Sequence, residues 1–155
     1  YVSKLELKAQ APGSMQTLQA LFFYDAYFTG LLTVLTTCLL VFKVLNLGFP
    51  GRQFAIEASV VGIFVLFSWG RLQAGIKGNR VEAVLETLLM VVLSAFTVAC
   101  SIYFMRFQTY VLVIEAILHG CGLVFVAFEV LLGLISVIMF SSLNKEARRH
   151  QQQSA

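Results

Sequence analysis

Four stretches of this chain are apolar almost without interruption: roughly Leu18 to Phe42, Phe54 to Ala74, Val84 to Met105 and Thr109 to Ser141. Each reaches or exceeds the ~20 residues that a helix needs to cross ~30 Å of hydrocarbon. Runs such as Leu88-Leu89-Met90-Val91-Val92-Leu93 are apolar on every face, whereas a membrane β-strand alternates apolar and polar positions. The pattern therefore predicts an all-α fold, a four-helix transmembrane bundle over 18–144. A polar segment, 1–17, precedes it and a basic, Gln-rich tail, 145–155, follows it. Span four is longer than the hydrocarbon is thick, so it has to tilt or project beyond the bilayer.

Composition removes the competing classes. The 155 residues are 59% apolar and 12% charged, with a mean hydropathy of +0.84, whereas soluble domains carry about 25% charged residues. A net charge of +3 does not point to nucleic acid, because the basic residues are scattered between apolar runs and form no stripe along a phosphate backbone. The three cysteines, Cys38, Cys100 and Cys121, all fall inside apolar runs with no metal-type spacing, and read as lone packing thiols. No nucleotide loop, Ser/His/Asp set or metal cluster is present in the sequence, so neither an enzyme nor a cofactor is predicted.

An even number of spans puts both termini on one side. That side holds Lys4, Lys8, Arg71, Lys77, Arg80, Lys145, Arg148 and Arg149, eight of the eleven basic residues; the other holds Lys43, Arg52 and Arg106. Cytosolic segments retain an excess of Lys and Arg, so both termini are expected in the cytosol. The link between spans two and three reads as a compact turn: Gly75 and Gly78 end one helix, and Asn79 with Glu82 three residues later forms a capping pair for the next. Lys77 belongs to the same turn, since no phosphate-loop spacing surrounds it. In the tail, Lys145, Arg148 and Arg149 are placed to rest on anionic headgroups.

The informative positions are the ionisable residues within spans, each costing a few kcal/mol at the bilayer centre, roughly 3 on insertion scales, and seldom facing lipid. At ~100° per residue, Glu115, His119, Gly122, Glu129 and Gly133 fall in one narrow sector of span four. Asp25, Thr29 and Thr36 line a comparable stripe on span one, and Glu57 and Arg71 share a face of span two with ~21 Å between them. Depth suggests that Asp25 pairs with Arg71, with Glu129 as the competing partner, and that Arg106 meets Glu57 or Glu115. Such residues serve as clamps within one bundle, as a surface joining other membrane proteins, or as an ion path. His119, alone in the membrane, reads as a hydrogen-bonding packing residue rather than a haem ligand.

The order of these residues resembles the small four-pass membrane proteins of the ciliary transition zone, the family linked to Joubert and Meckel syndromes. The similarity runs through Leu21-Phe22-Phe23, the Phe49-Pro50 turn with Glu57 seven residues later, and Arg71-Leu72 followed by Gly75, Lys77, Gly78 and Asn79. It continues through Gln108-Thr109-Tyr110-Val111-Leu112, Glu115, Gly120, Glu129 and Phe140-Ser141-Ser142, so that it covers about Leu18 to Asn144. Some relatives carry glutamates where this chain has Ser68 and Gly133, so no ion-pair scheme is taken over from the family.

The resemblance implies a non-enzymatic scaffold subunit of the transition-zone membrane complex, in the ciliary membrane, supporting ciliary assembly and the gating of membrane-protein entry. It implies as partners other multipass membrane proteins, tectonic-like proteins and membrane lipid, with no nucleic acid and no small-molecule substrate. The alternative from the residues alone is a small ion- or proton-coupled transporter using the intramembrane carboxylates. Yet the only prolines, Pro12 and Pro50, lie outside every span, where they break none of the helices that many carriers unwind around a substrate. The topology has a direct check: epitope tags at either terminus of the full chain are expected to stain only after the plasma membrane is permeabilised. Staining of intact cells would reverse the orientation.

Overall fold

The computed structural model describes residues 14–48, 50–81 and 83–153, with side chains from 16 to 139 within those ranges and at 141. The expectations for residues 1–13, Phe49 and Glu82, and for the side chains of Lys145, Arg148 and Arg149, lie outside the described residues. Four helices form: α1 (Ser14–Asn46), α2 (Gly51–Val81), α3 (Val84–Arg106) and α4 (Val113–Gln153). Each contains a stretch long and apolar enough to cross a membrane. No strand occurs among the described residues.

On α1, α3 and α4 the buried positions recur at intervals of three and four, with one interval of seven on α1. On α3 they are Thr87, Met90, Ser94, Thr97, Ser101 and Phe104; on α4, Glu115, His119, Gly122, Val126, Glu129, Gly133 and Ser136. The seam of α1 runs Leu18, Phe22, Asp25, Leu32, Thr36, Leu40 and Lys43. A repeat averaging 3.5 residues keeps one narrow face inward over the whole helix, the packing of antiparallel bundles whose helices cross at about 20°. α1 packs on α2 and α4, α2 on α3, and α3 on α4. The four therefore make a ring, with α2 and α4 on one diagonal. We call the end carrying the termini the terminal end and the opposite one the far end.

Two apolar clusters fill the centre. Leu18, Phe22, Leu72, Ala74 and Met90 lie toward the terminal end, and Leu32, Phe64 and Phe104 toward the far end. Along the α3 seam the hydroxyls turn back on their own helix: Thr87 donates to the Ala83 carbonyl at 3.1 Å, Ser94 to Met90 at 2.8 Å and Thr97 to Leu93 at 3.2 Å. With these polar atoms satisfied locally, small side chains allow α2 to approach closely.

The expected turn at Gly75 and Gly78 is corrected. α2 continues through both glycines to Val81, so Asn79 lies inside the helix, and α3 starts after Ala83, whose side chain provides no cap. The glycines serve close packing instead. A Cβ on Gly78 would fall 2.9 Å from the Thr87 backbone nitrogen and 2.7 Å from its hydroxyl; one on Gly75 would meet the Phe22 ring at 2.5 Å. α1 also begins earlier than the hydropathy suggests, at Ser14. The backbone of α4 stays helical past Ser141 to Gln153, the segment assigned to the tail.

At the far end α1 closes through Gly48, whose φ of +61° suits glycine, and α3 and α4 are joined by residues 107–112. Gly78→Ala should lower thermal stability by about 1–3 kcal/mol, since the clash is with backbone. Gly133→Ala should cost less, because its neighbour at 2.6 Å is the flexible end of Met90. Equal unfolding midpoints for the two variants would contradict this packing.

Candidate functional site

The same 3–4 spacing that hides Leu18 and Phe22 also hides charge. Asp25, Lys43, Glu57, Arg71, Glu115, His119 and Glu129 are each at most 1% exposed. They gather in two layers joined by the aromatic centre.

At the far end, Lys43 of α1 reaches Glu115 of α4 at 2.5 Å. Glu57 of α2 accepts two hydrogen bonds from the α3–α4 connection, from Gln108 Nε2 and from the Thr109 backbone N–H, both at 2.9 Å. This carboxylate therefore anchors a loop, and it satisfies backbone that would otherwise lie bare where α4 begins. One turn deeper, His119 Nε2 meets Thr36 Oγ1 at 3.3 Å. The imidazole stacks on Phe104 with ring centres 4.7 Å apart and meets Phe64 edge-on at 5.5 Å. His119 is thus held by packing and one hydrogen bond.

At the terminal end, Arg71 of α2 lies between two acids. Its Nη2 donates to Asp25 of α1 and its Nη1 to Glu129 of α4, across the diagonal of the ring. Thr29 Oγ1 adds a hydrogen bond to Asp25 Oδ1 at 3.3 Å. One guanidinium thus ties three helices together. The planar fork of Arg makes this possible, since its donors address two carboxylates in fixed directions. Gly122 packs on Phe28 and Leu32 of α1, and Gly133 lies against Met90 of α3. Nearer the rim, Lys77 pairs with Glu86 at 2.6 Å; the lysine side chain is exposed, and such surface pairs contribute about 0–1 kcal/mol.

The expected contact of Arg106 is corrected. It stands two residues after the buried Phe104, about 200° around the helix, and is exposed; Gln108, Thr109 and Lys43 take the acids it was matched with. Sequence reasoning misses Lys43, because its place at the edge of an apolar run puts it among the loop charges. Its signal was present: eighteen residues after Asp25 is five full turns, so Lys43 belongs to the Asp25–Thr36 stripe. Gln108 and Thr109 gave no such signal, because residues in a connection have no periodicity from which a facing can be taken. No group of three or more His, Cys, Asp or Glu side chains suited to a metal occurs among the described residues.

Four apolar helices closed around inward-facing charge define a small integral membrane protein. A family model described as a predicted membrane protein matches residues 20–126, well over half of the chain, and the chain belongs to that family. Among its relatives is transmembrane protein 216 of Mus musculus, 26% identical over 132 residues, which cover 85% of this chain and 94% of the relative. The Danio rerio protein of that name is 27% identical over 131 residues, covering 84% and 82%. The Homo sapiens protein is 27% identical over 128 residues, covering 83% and 88%. No solved structure matches the chain.

The triad makes a graded prediction. Asp25→Asn and Glu129→Gln each leave Arg71 one carboxylate and should retain most of the monodisperse protein in mild detergent. The double variant strands a buried cation, which costs about 3–5 kcal/mol, and should lose most of it. Size-exclusion profiles of the three, at matched expression, provide the measurement. Singles as damaging as the double would show that the two acids do not share the load.

Proposed function

We propose that this chain is a non-enzymatic scaffold subunit of the membrane complex at the ciliary transition zone, with both termini in the cytosol. In this role it supports ciliary assembly and gates the entry of membrane proteins. Two things support the reading: membership of a family whose relatives here are named transmembrane protein 216, and the sequence resemblance to transition-zone four-pass proteins.

The structural observation that carries it is the facing of the polar groups. The seven ionisable residues of the two layers are turned inward, while Leu66, Trp69 and Tyr27 on the outer faces are 73%, 66% and 68% exposed. Charges so enclosed hold the bundle together and leave the outer surface for apolar helix–helix contact, which in a bilayer works through shape and small residues. The fitting partners are other multipass transition-zone proteins, tectonic-like proteins and lipid.

The test is localisation joined to function. The full-length chain, tagged at its own locus, is expected to concentrate at the ciliary base, and its deletion to reduce ciliated cells, with recovery on re-expression. Spread through internal membranes with normal cilia would defeat the proposal. Purified protein in liposomes separates the transport class: acid-dependent flux abolished by Glu129→Gln would favour a transporter, and silence with co-purifying multipass partners the scaffold.

A further inference from the structure

Among the described residues, the buried charges at the terminal end of the bundle do not cancel. One guanidinium, Arg71, faces two carboxyl groups, Asp25 from α1 and Glu129 from α4, and each of the three residues is at most 1% exposed. α3, the remaining wall, brings only uncharged side chains to its buried face. The other buried cation among the described residues, Lys43, lies ~27 Å along α1 and is engaged by Glu115. With both acids ionised, the cluster would carry an uncompensated negative charge inside a bundle that is itself inside a bilayer. A low-dielectric interior does not sustain such a charge; the group takes up a proton instead.

Two local features agree. The Asp25 and Glu129 carboxyls are held against the two terminal nitrogens of one guanidinium, a closeness that two carboxylates resist and that an acid beside a carboxylate tolerates. Glu129 Oε1 is buried and finds no donor, which is costly for an anionic oxygen and less so for one in a neutral acid.

We propose that Asp25 and Glu129 share one proton beside Arg71, making the triad a neutral proton-binding site within the membrane. The inference stands on the cluster's charge and burial and is independent of the ciliary role. It has a distinctive consequence. Removing either acid leaves one carboxylate for one guanidinium, and the proton is no longer required. Both Asp25→Asn and Glu129→Gln therefore abolish it, although each leaves an acid in place.

Infrared spectroscopy of the full chain in lipid nanodiscs at neutral pH tests this through the carbonyl stretch of protonated carboxylic acids, identified by its shift in D2O. The expected result is a component present in the unmodified chain, retained in Glu57→Gln, and lost in both Asp25→Asn and Glu129→Gln. Absence of any such component, its survival in either triad variant, or its loss only in Glu57→Gln would overturn the proposal. Should a triad variant fail to fold, the Glu57→Gln chain labelled with 13C-carboxyl aspartate answers in its place. A protonated component that shifts with the aspartate label, which reports Asp25 alone, supports the shared proton, and its absence refutes it.

Discussion

A charge that enters hydrocarbon must bring its counter-charge with it, and this constraint organises the molecule. Asp25, Glu57, Arg71, Glu115 and Glu129 lie within apolar runs that would otherwise be free to rotate about their axes, because a helix that is apolar all round has no preferred face in lipid. The ionisable residues supply the preference. Once Arg71 is required to sit between Asp25 and Glu129, α1, α2 and α4 are fixed in rotation and in depth. The Lys43–Glu115 contact then fixes α1 against α4 at the other end. Two polar anchor points on the same helix pair specify a register that leucine on leucine would leave loose, in the way that buried polar groups set register in coiled coils.

α3 is held differently. Its buried face is hydroxyl and apolar, without charge, and its order comes from closeness: Gly78 against the Thr87 backbone, and Phe67 stacked on Phe96 at 4.6 Å. Dispersion grows with the number of atoms brought into contact, and small residues at a seam increase that number when there is no hydrophobic drive between helices in lipid. The bundle thus joins an electrostatic clasp on three helices to a steric fit on the fourth. Glu57 links the two schemes, since its acceptors hold the connection that leaves α3.

Much of this is legible in the sequence itself. Long apolar runs define spans because length and hydropathy are local properties, and the inward sector of α4 follows from 100° steps through Glu115, His119 and Glu129. What escaped was context-dependent. Gly75 and Gly78 look like helix stops because glycine often is one in water, yet in a packed membrane helix the same missing Cβ serves an approaching neighbour, and the helix runs on to Val81. Lys43 looked like a loop flank because it stands at the edge of an apolar run; only its register with Asp25 marks it as interior. Gln108 and Thr109 depend on where a six-residue connection folds, which no periodicity encodes. The family resemblance drew on the spacing of many residues at once, which is why it outlined the family without supplying the partners of any one charge.

The sequence separation of the anchors bears on how the protein is made. Asp25 and Arg71 leave the ribosome early and are able to meet as a hairpin of α1 and α2. Lys43 has its acid on α4, so its ion pair forms only after that helix has been synthesised. A nascent chain stalled or truncated before Glu115 would hold Lys43 without the carboxylate that engages it in the finished bundle, the kind of defect that membrane quality control detects. α4 is therefore the helix that completes both buried charge layers, and a chain cut between α3 and α4 would leave Lys43 and Arg71 each short of a carboxylate.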